Sequence, residues 1–246
     1  MTYLRILLSG AVLLGVGTLA ALAFVATHFI MRQTRRADAA PPTGATVLPD
    51  NRSVADVLRL CEPKIRGAFA PVCKKNGIAY PPARVRLLAF KADKSLEVWG
   101  ANRTGAYRKL ATYPILAASG TAGAKKREGD RQVPEGFYRL TTLNPRSRFH
   151  VSVRVDYPNA DDIAANPGVP VRNLGGDIYI HGNRVSIGCL AMGDAAIEPI
   201  FCLAARATER EVWISPLDPR RKKMPRTDDA NLSARYARLA SAIRAM

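Results

Sequence analysis

Two residues in this chain have the types and the spacing for nucleophilic chemistry. His181 and Cys189 stand eight positions apart within DIYIHGNRVSIGCLAM, residues 177–192. A thiol attacks as its thiolate, so it needs a base and backbone N–H groups to hold the oxyanion that the attack creates. His181 can be the base, and the N–H groups of Gly188 and Cys189 can be the hole. Glycine at 188 lets a substrate come close to the main chain. Asp177-Ile178-Tyr179-Ile180 alternates polar and apolar side chains, which predicts a strand delivering His181 at its end. Gly182, Asn183 and Arg184 then make a turn, and 186–189 a bend carrying the thiol. Alone, a histidine and a cysteine at this spacing are more often a structural histidine near a buried thiol than a catalytic pair.

Other chemistries find less support. The chain has three histidines, and no set of His, Cys, Asp and Glu has metal-ligand spacing, so neither a metal nor another cofactor is expected. His28 lies in an apolar run, and His150 is expected on an exposed strand face or the wall of a substrate cradle. The formal net charge of +17 and pI near 10.3 favour polyanionic surroundings. No nucleic-acid-binding motif accompanies that charge, and the basic residues are spread along the chain, so nucleic acid is not expected as a partner.

The elements that must position the pair are mostly strands. Residues 85–90 and 96–99, with a turn at Asp93-Lys94-Ser95, form a hairpin pattern, and 107–117 and 136–140 give further strands. Phe149, Val151, Val153 and Val155 share one face of another. Residues 211–214 read as a closing strand. A mainly β domain follows, as a sandwich or curved sheet with flanking helices. After the motif, Asp194 is a candidate cap for a helix carrying Ile197, Ile200, Phe201 and Leu203 into the core, with Pro199 predicting a late start or a kink. Cys202 on that helix reads as a small buried hydrophobe.

Upstream, residues 6–31 are nearly continuous apolar sequence, longer than the roughly 20 residues that span a bilayer. We expect 1–36 to be an uncleaved signal anchor forming one transmembrane helix, and 37–50 a linker rich in Pro, Ala and Gly. Residues 51–83 form a helical lead-in capped by Ser53. Pro63, Gly67 and Pro71 are expected to break it, letting the chain fold back so that Cys61 and Cys73 form a disulfide; two buried free thiols are the alternative. The catalytic domain is assigned to 84–216 and a basic tail to 217–246, where Leu232, Tyr236, Leu239 and Ile243 form an amphipathic helix that docks on its own domain or lies on a membrane surface.

His181-Gly182, followed by Ser186-x-Gly188-Cys189-Leu190-x-Met192, resembles the catalytic signature of the L,D-transpeptidases (YkuD-like domains), which act on bacterial cell-wall peptides. Val133-Pro134-Glu135-Gly136-Phe137-Tyr138 is similar to the segment that precedes a strand in that family. Ile187 stands in place of the usual second histidine and Ala191 in place of Arg or Asn, departures similar to the YafK-type branch of murein L,D-transpeptidases. The resemblance covers 84–214 and implies a β-sandwich catalytic fold. It implies that Cys189 attacks a peptidoglycan stem peptide, with His181 as base, the Gly182 carbonyl orienting the imidazole, Gly188 in the oxyanion hole, and a thioester intermediate. Ser186, Arg131 and Tyr138 become candidate substrate contacts, the first as loop support as well. Lys125, Lys126 and Arg127 share the loop of Arg131 and are open to the same carboxylates, or are merely solvated.

An amine attacking the thioester, from a second stem peptide or an outer-membrane lipoprotein lysine, makes a transpeptidase; water makes a hydrolase, including one that cleaves the peptidoglycan–lipoprotein link. A membrane-anchored, non-catalytic peptidoglycan binder is the rival reading, motivated by Ile187 and Ala191. The expected place is the inner membrane, through 6–31, with the catalytic domain in the periplasm. Arg32, Arg35 and Arg36 after the apolar run argue for the opposite orientation, although large C-terminal domains translocate despite flanking charge.

Overall fold

The computed structural model describes residues 44–121 and 123–246. The expected anchor at 6–31 lies outside the described residues, and no helix among the described residues is long and apolar enough to cross a membrane.

Strands β1 (Arg84–Phe90) and β2 (Ser95–Ala101) form the expected hairpin, and β3 (Arg108–Pro114) follows antiparallel on β2. Then come β4 (Ala117–Ala118), β5 (Gly136–Asn144), β6 (Ser152–Val155), β7 (Tyr179–His181), β8 (Leu190–Ala191) and β9 (Glu209–Ser215). The nine strands make one curled sheet in the order β3-β2-β1-β9-β5-β6-β7-β8-β4. β9, expected to close the sheet, instead lies in its middle, parallel to β1 and antiparallel to β5. Val212, Trp213 and Ile214 are all buried, the pattern of a strand covered on both faces. β5 turns the sheet: Gly136 to Arg139 pair with β9, and a register shift between Leu140 and Leu143 hands the strand to β6.

Two cores result. Val85, Leu87, Ala89, Val212 and Ile214 pack with α1 (Val54–Lys75) and with the helix after the Cys189 loop, α4 (Asp194–Arg206), numbered after the short α2 (Ala160–Ala164) and α3 (Val171–Leu174). Leu88, Phe90, Trp99 and Trp213 point the other way, onto Leu232, Tyr236, Leu239 and Ile243 of α5 (Ala230–Arg244). The C-terminal amphipathic helix thus docks on its own sheet.

The lead-in differs from expectation. Helix α1 begins at a Ser53 capping box with Asp56 and runs unbroken through Pro63 and Pro71. Val57, Cys61, Ile65, Phe69 and Cys73 recur every fourth residue as one fully buried stripe, while Pro63, Gly67 and Pro71 sit on the exposed side. Burial of that stripe outweighs the lost backbone bonds. Cys61 and Cys73 therefore lie about 18 Å apart along one helix, too far for a disulfide, and both thiols are free and buried. Cys202 is buried too, with its thiol against that of Cys61.

Helix α4 is joined to α1 by a buried carboxylate. Glu198 is fully buried and accepts from Lys64 Nζ at 2.9 Å, His150 Nε2 at 2.9 Å, and Thr46 N and Oγ1 at 2.5 and 2.9 Å. Burial alone would raise its pKa, but these donors outweigh burial and hold the carboxyl at about 2, below its ordinary 4.5. A depressed pKa stabilises the fold above the unfolded-state value, on the order of 3 kcal/mol here, and that contribution is lost as pH falls from 4.5 towards 2. Denaturant titrations across that range should show a steep loss of stability that Glu198→Gln flattens; equal slopes for both proteins would refute the assignment.

Candidate active site

The site grows from the short strands at the far side of the sheet. β6 pairs antiparallel with β7, placing Ser152 opposite His181, and β7 runs parallel to β8, placing His181 opposite Ala191. Between β7 and β8 the chain makes the loop with Cys189 near its end. The loop is closed at its base by Met192 N to His181 O at 2.8 Å and Gly193 N to Asn183 O at 2.9 Å. Asn183 takes φ 59°, and its N–H donates to Asp194 Oδ1 at 2.7 Å. Asp194, expected to cap α4, thus secures the loop, while Gly193 holds the cap position without a side-chain bond.

His181 is buried, and its Nδ1–H donates to the Gly182 carbonyl at 2.6 Å. A carbonyl only accepts, so the proton belongs on Nδ1 and Nε2 carries the free lone pair. The ring of Phe149 stacks on the imidazole at 4.7 Å between centroids and 29° between planes. Gly182 donates its own N–H to Phe149 O at 3.0 Å. A Cβ there would come within 2.4 Å of Asp194 Oδ1 and 2.7 Å of Phe149 O, so two segments converging on it leave room only for glycine.

Cys189 shares a cleft of about 620 Å³ with His181, Tyr179, Asp177 and Arg148. Its Sγ accepts from Tyr179 N at 3.4 Å and donates to Asp177 O at 3.6 Å. Burial raises the thiol pKa above its ordinary value near 9; the Tyr179 N–H opposes this and the Asp177 charge adds to it. Burial also lowers the His181 pKa below 6.5, only partly offset by the bond to Gly182 O. Neutral thiol and neutral imidazole are therefore the resting forms at pH 7, not a thiolate–imidazolium pair.

The other expected contacts are distributed differently. Gly188, at φ 133°, gives its N–H to Ser186 Oγ at 3.3 Å, so it is not directed at an incoming oxyanion. Tyr179 N is instead a main-chain donor aimed at the thiol. Ser186 lines the cleft, but its hydroxyl donates to Cys189 O at 2.6 Å and lies 3.4 Å from Ser119 Oγ, which makes it a brace of the loop. Arg131 is exposed outside the cleft lining, and its carbonyl accepts from Ser119. Tyr138 is no substrate contact: it is buried, its hydroxyl donating to Asp162 Oδ1 at 3.0 Å beside Arg235. Lys125 is also buried, paired with Asp130 at 2.6 Å. His150 is neither exposed nor on the cleft wall, since its ring is bound to Glu198. Among the described residues no group of His, Cys, Asp and Glu could hold a metal ion.

Phe149, Arg148 and the Tyr179 N–H escaped the sequence reading. The first lies in a turn where a strand was expected, the second immediately before it in the same turn, and the third is set by register.

A family model described as the L,D-transpeptidase catalytic domain (YkuD) matches residues 84–214. The protein named "Putative L,D-transpeptidase YafK" in Escherichia coli K12 is 35% identical over 133 residues, 53% of this chain and 51% of that protein, and its O157:H7 counterpart matches equally. The chain spans about half the length of the curated relatives it matches. Among solved structures, the helical cell shape determining protein Pgp2 from Campylobacter jejuni aligns with TM-score 0.46 and 26% identity, covering 59% of this chain and 51% of that one. Bd1075 from Bdellovibrio bacteriovorus aligns with TM-score 0.40 and 21% identity, over 68% and 56% of the two chains.

The electrostatics are open to titration. Iodoacetamide rates at Cys189, followed against pH, should give a midpoint above 9 that moves down in Asp177→Asn, because removing a nearby negative charge favours the thiolate. A wild-type midpoint near 7, or no movement in the variant, would contradict the geometry.

Proposed function

The chain belongs to the L,D-transpeptidase catalytic domain family, and we propose that it is a cell-wall cysteine enzyme acting on peptidoglycan stem peptides. The observation that carries this reading is the Nδ1–Gly182 bond, which leaves His181 Nε2 as a base in the cleft that holds Cys189. Because both groups rest neutral, the proton moves from Sγ to Nε2 as the thiol attacks, rather than beforehand. The attacked carbonyl is that of diaminopimelate itself, in its bond to the amine that follows it. Sulfur bonds to that carbon, and the oxyanion is received by main-chain N–H groups, with Cys189 N and Tyr179 N as the candidates. Collapse expels the amine, which takes the proton from His181, and leaves a thioester on Cys189. An amine from a second stem peptide, or from a lipoprotein lysine, then gives a transpeptide and water gives a hydrolysed stem. The proposed setting is the periplasm, with the protein anchored in the inner membrane through residues 6–31.

A second reading, a binding protein that holds peptidoglycan without reaction, draws on one observation. Ile187, which replaces the family's usual second histidine, is 81% exposed at the cleft mouth.

Sacculi with and without covalently attached lipoprotein, incubated with the full-length protein or Cys189→Ala, separate these outcomes by mass spectrometry of the released peptides. New diaminopimelate-linked peptides, trimmed stems or freed lipoprotein should form only where Cys189 is present. Folded protein that yields no Cys189-dependent product from either substrate leaves the binding reading in place. Gly182→Ala should lose about 100-fold in rate, since its Cβ must displace the His181 turn; wild-type turnover in that variant would show that the turn does not set the base.

A further inference from the structure

A buried polar cluster outside the cleft lining has no part in the chemistry above, yet it holds the residue next to Phe149, whose ring stacks on His181. At its centre is Glu198 on α4, which holds Lys64, Thr46 and the ring of His150. His150 is in the left-handed region, φ 70°, a conformation that a side chain other than glycine adopts at a cost. Two anchors keep it there. Its Nε2 is bound to Glu198 Oε1 at 2.9 Å, and its carbonyl accepts from the guanidinium of Arg52, which also donates to Pro49 O at 2.8 Å. Arg52 itself is buried, so this clamp is screened from water.

What the clamp fixes is the preceding residue. Phe149 lies against the His181 ring and takes the Gly182 N–H on its carbonyl. The imidazole is thus restrained twice: Nδ1 by the Gly182 carbonyl, and one face by a benzene ring that keeps water off. Either restraint alone leaves the ring free to tilt; together they fix its plane and with it the direction of Nε2. Thr46, Pro49, Arg52 and Lys64 all precede residue 84, where the match to the catalytic domain begins.

We propose that the segment 46–64 is a working part of the active site, with Arg52, His150 and Glu198 as positioning residues that hold Phe149 against the His181 base. The inference rests on the role of His181 given under the proposed function. A merely structural lead-in would contribute stability only. A positioning one sets the basicity of His181 and the turnover number while leaving substrate affinity alone.

The test uses the full-length chain with ¹³C-labelled histidine, comparing wild type, Arg52→Ala, Arg52→Lys, Glu198→Gln and Phe149→Leu. The His181 imidazole midpoint is read by NMR, and kcat and KM are read on sacculus-derived peptides. In wild type the midpoint should lie below 6.5, because the ring is buried. In Arg52→Ala, Glu198→Gln and Phe149→Leu it should rise towards 6.5 as water reaches the ring, with kcat down about tenfold and KM unchanged. Arg52→Lys, which keeps a cation for the His150 carbonyl, should recover most of both. If Arg52→Ala fails to fold, His150→Ala cuts the same clamp from the Glu198 side and takes its place. The proposal is overturned if Phe149→Leu moves the midpoint while the folded clamp variants keep the wild-type value, or if those variants lose only thermal stability. Because the NMR midpoint needs no turnover, an inactive wild type would refute the enzyme reading while the positioning result is still read.

Discussion

A carboxylate taken wholly out of water persists as an anion only if donors surround it, and Glu198 satisfies this with groups from three separate stretches of chain. The requirement works in both directions. Lys64 ties α1 to α4, Thr46 fixes the approach to α1, and His150 is held at a backbone angle it would not otherwise keep. Remove the charge and each partner loses its reason to be where it is. The Cys189 loop enters this arrangement at α4, whose first residue, Asp194, holds the Asn183 N–H. One buried ion therefore links the start of the described chain, both packed helices and the turn beside His181.

Burial has a second effect at the cleft, where it pushes the pKa values of Cys189 and His181 apart rather than together. A raised thiol and a lowered imidazole favour the uncharged pair, so the site does not store a thiolate. Such a resting state has a physical merit, since a protonated thiol is a poor target for oxidants and stray electrophiles. On the proposed mechanism its reactivity depends on geometry at the moment of attack, and several bonds converge on the orientation of the His181 imidazole.

The strands of the hairpin and the His–Cys motif were legible because alternation and local spacing carry them, and the segment 133–138 was legible through its resemblance to the family. Contacts that depend on long-range placement were not. Nothing near Tyr138 announces that Asp162 and Arg235 will enclose it, and the charge of Lys125 gives no hint of Asp130 folding the loop around it. The helix α1 misled for a different reason. Proline and glycine are breakers by local preference, but at 63, 67 and 71 they share the exposed face of a helix whose opposite stripe is fully buried, and tertiary packing overrides propensity. His150 was placed on a strand by the alternation of 149–155, which the structure begins only at Ser152.

The strands that carry the site are very short: three residues in β7 and two each in β4 and β8. So few ladder bonds cannot hold His181 and Cys189 to the tolerance that the proposed acyl transfer would demand. The long strands β1, β2, β5 and β9 bear the core and could tolerate slack at their ends, but the cleft lies where the sheet has almost run out. Its precision has to come from elsewhere, and the structure supplies it with polar bonds outside the ladder. Ser186 spans the turn before Cys189, Asp194 and Gly193 close the loop base, and Arg52 with Glu198 braces the His150 turn. On this argument the residues outside the sheet are as much a condition of the proposed chemistry as His181 and Cys189 themselves, because a minimal ladder leaves them the task of setting distance and angle.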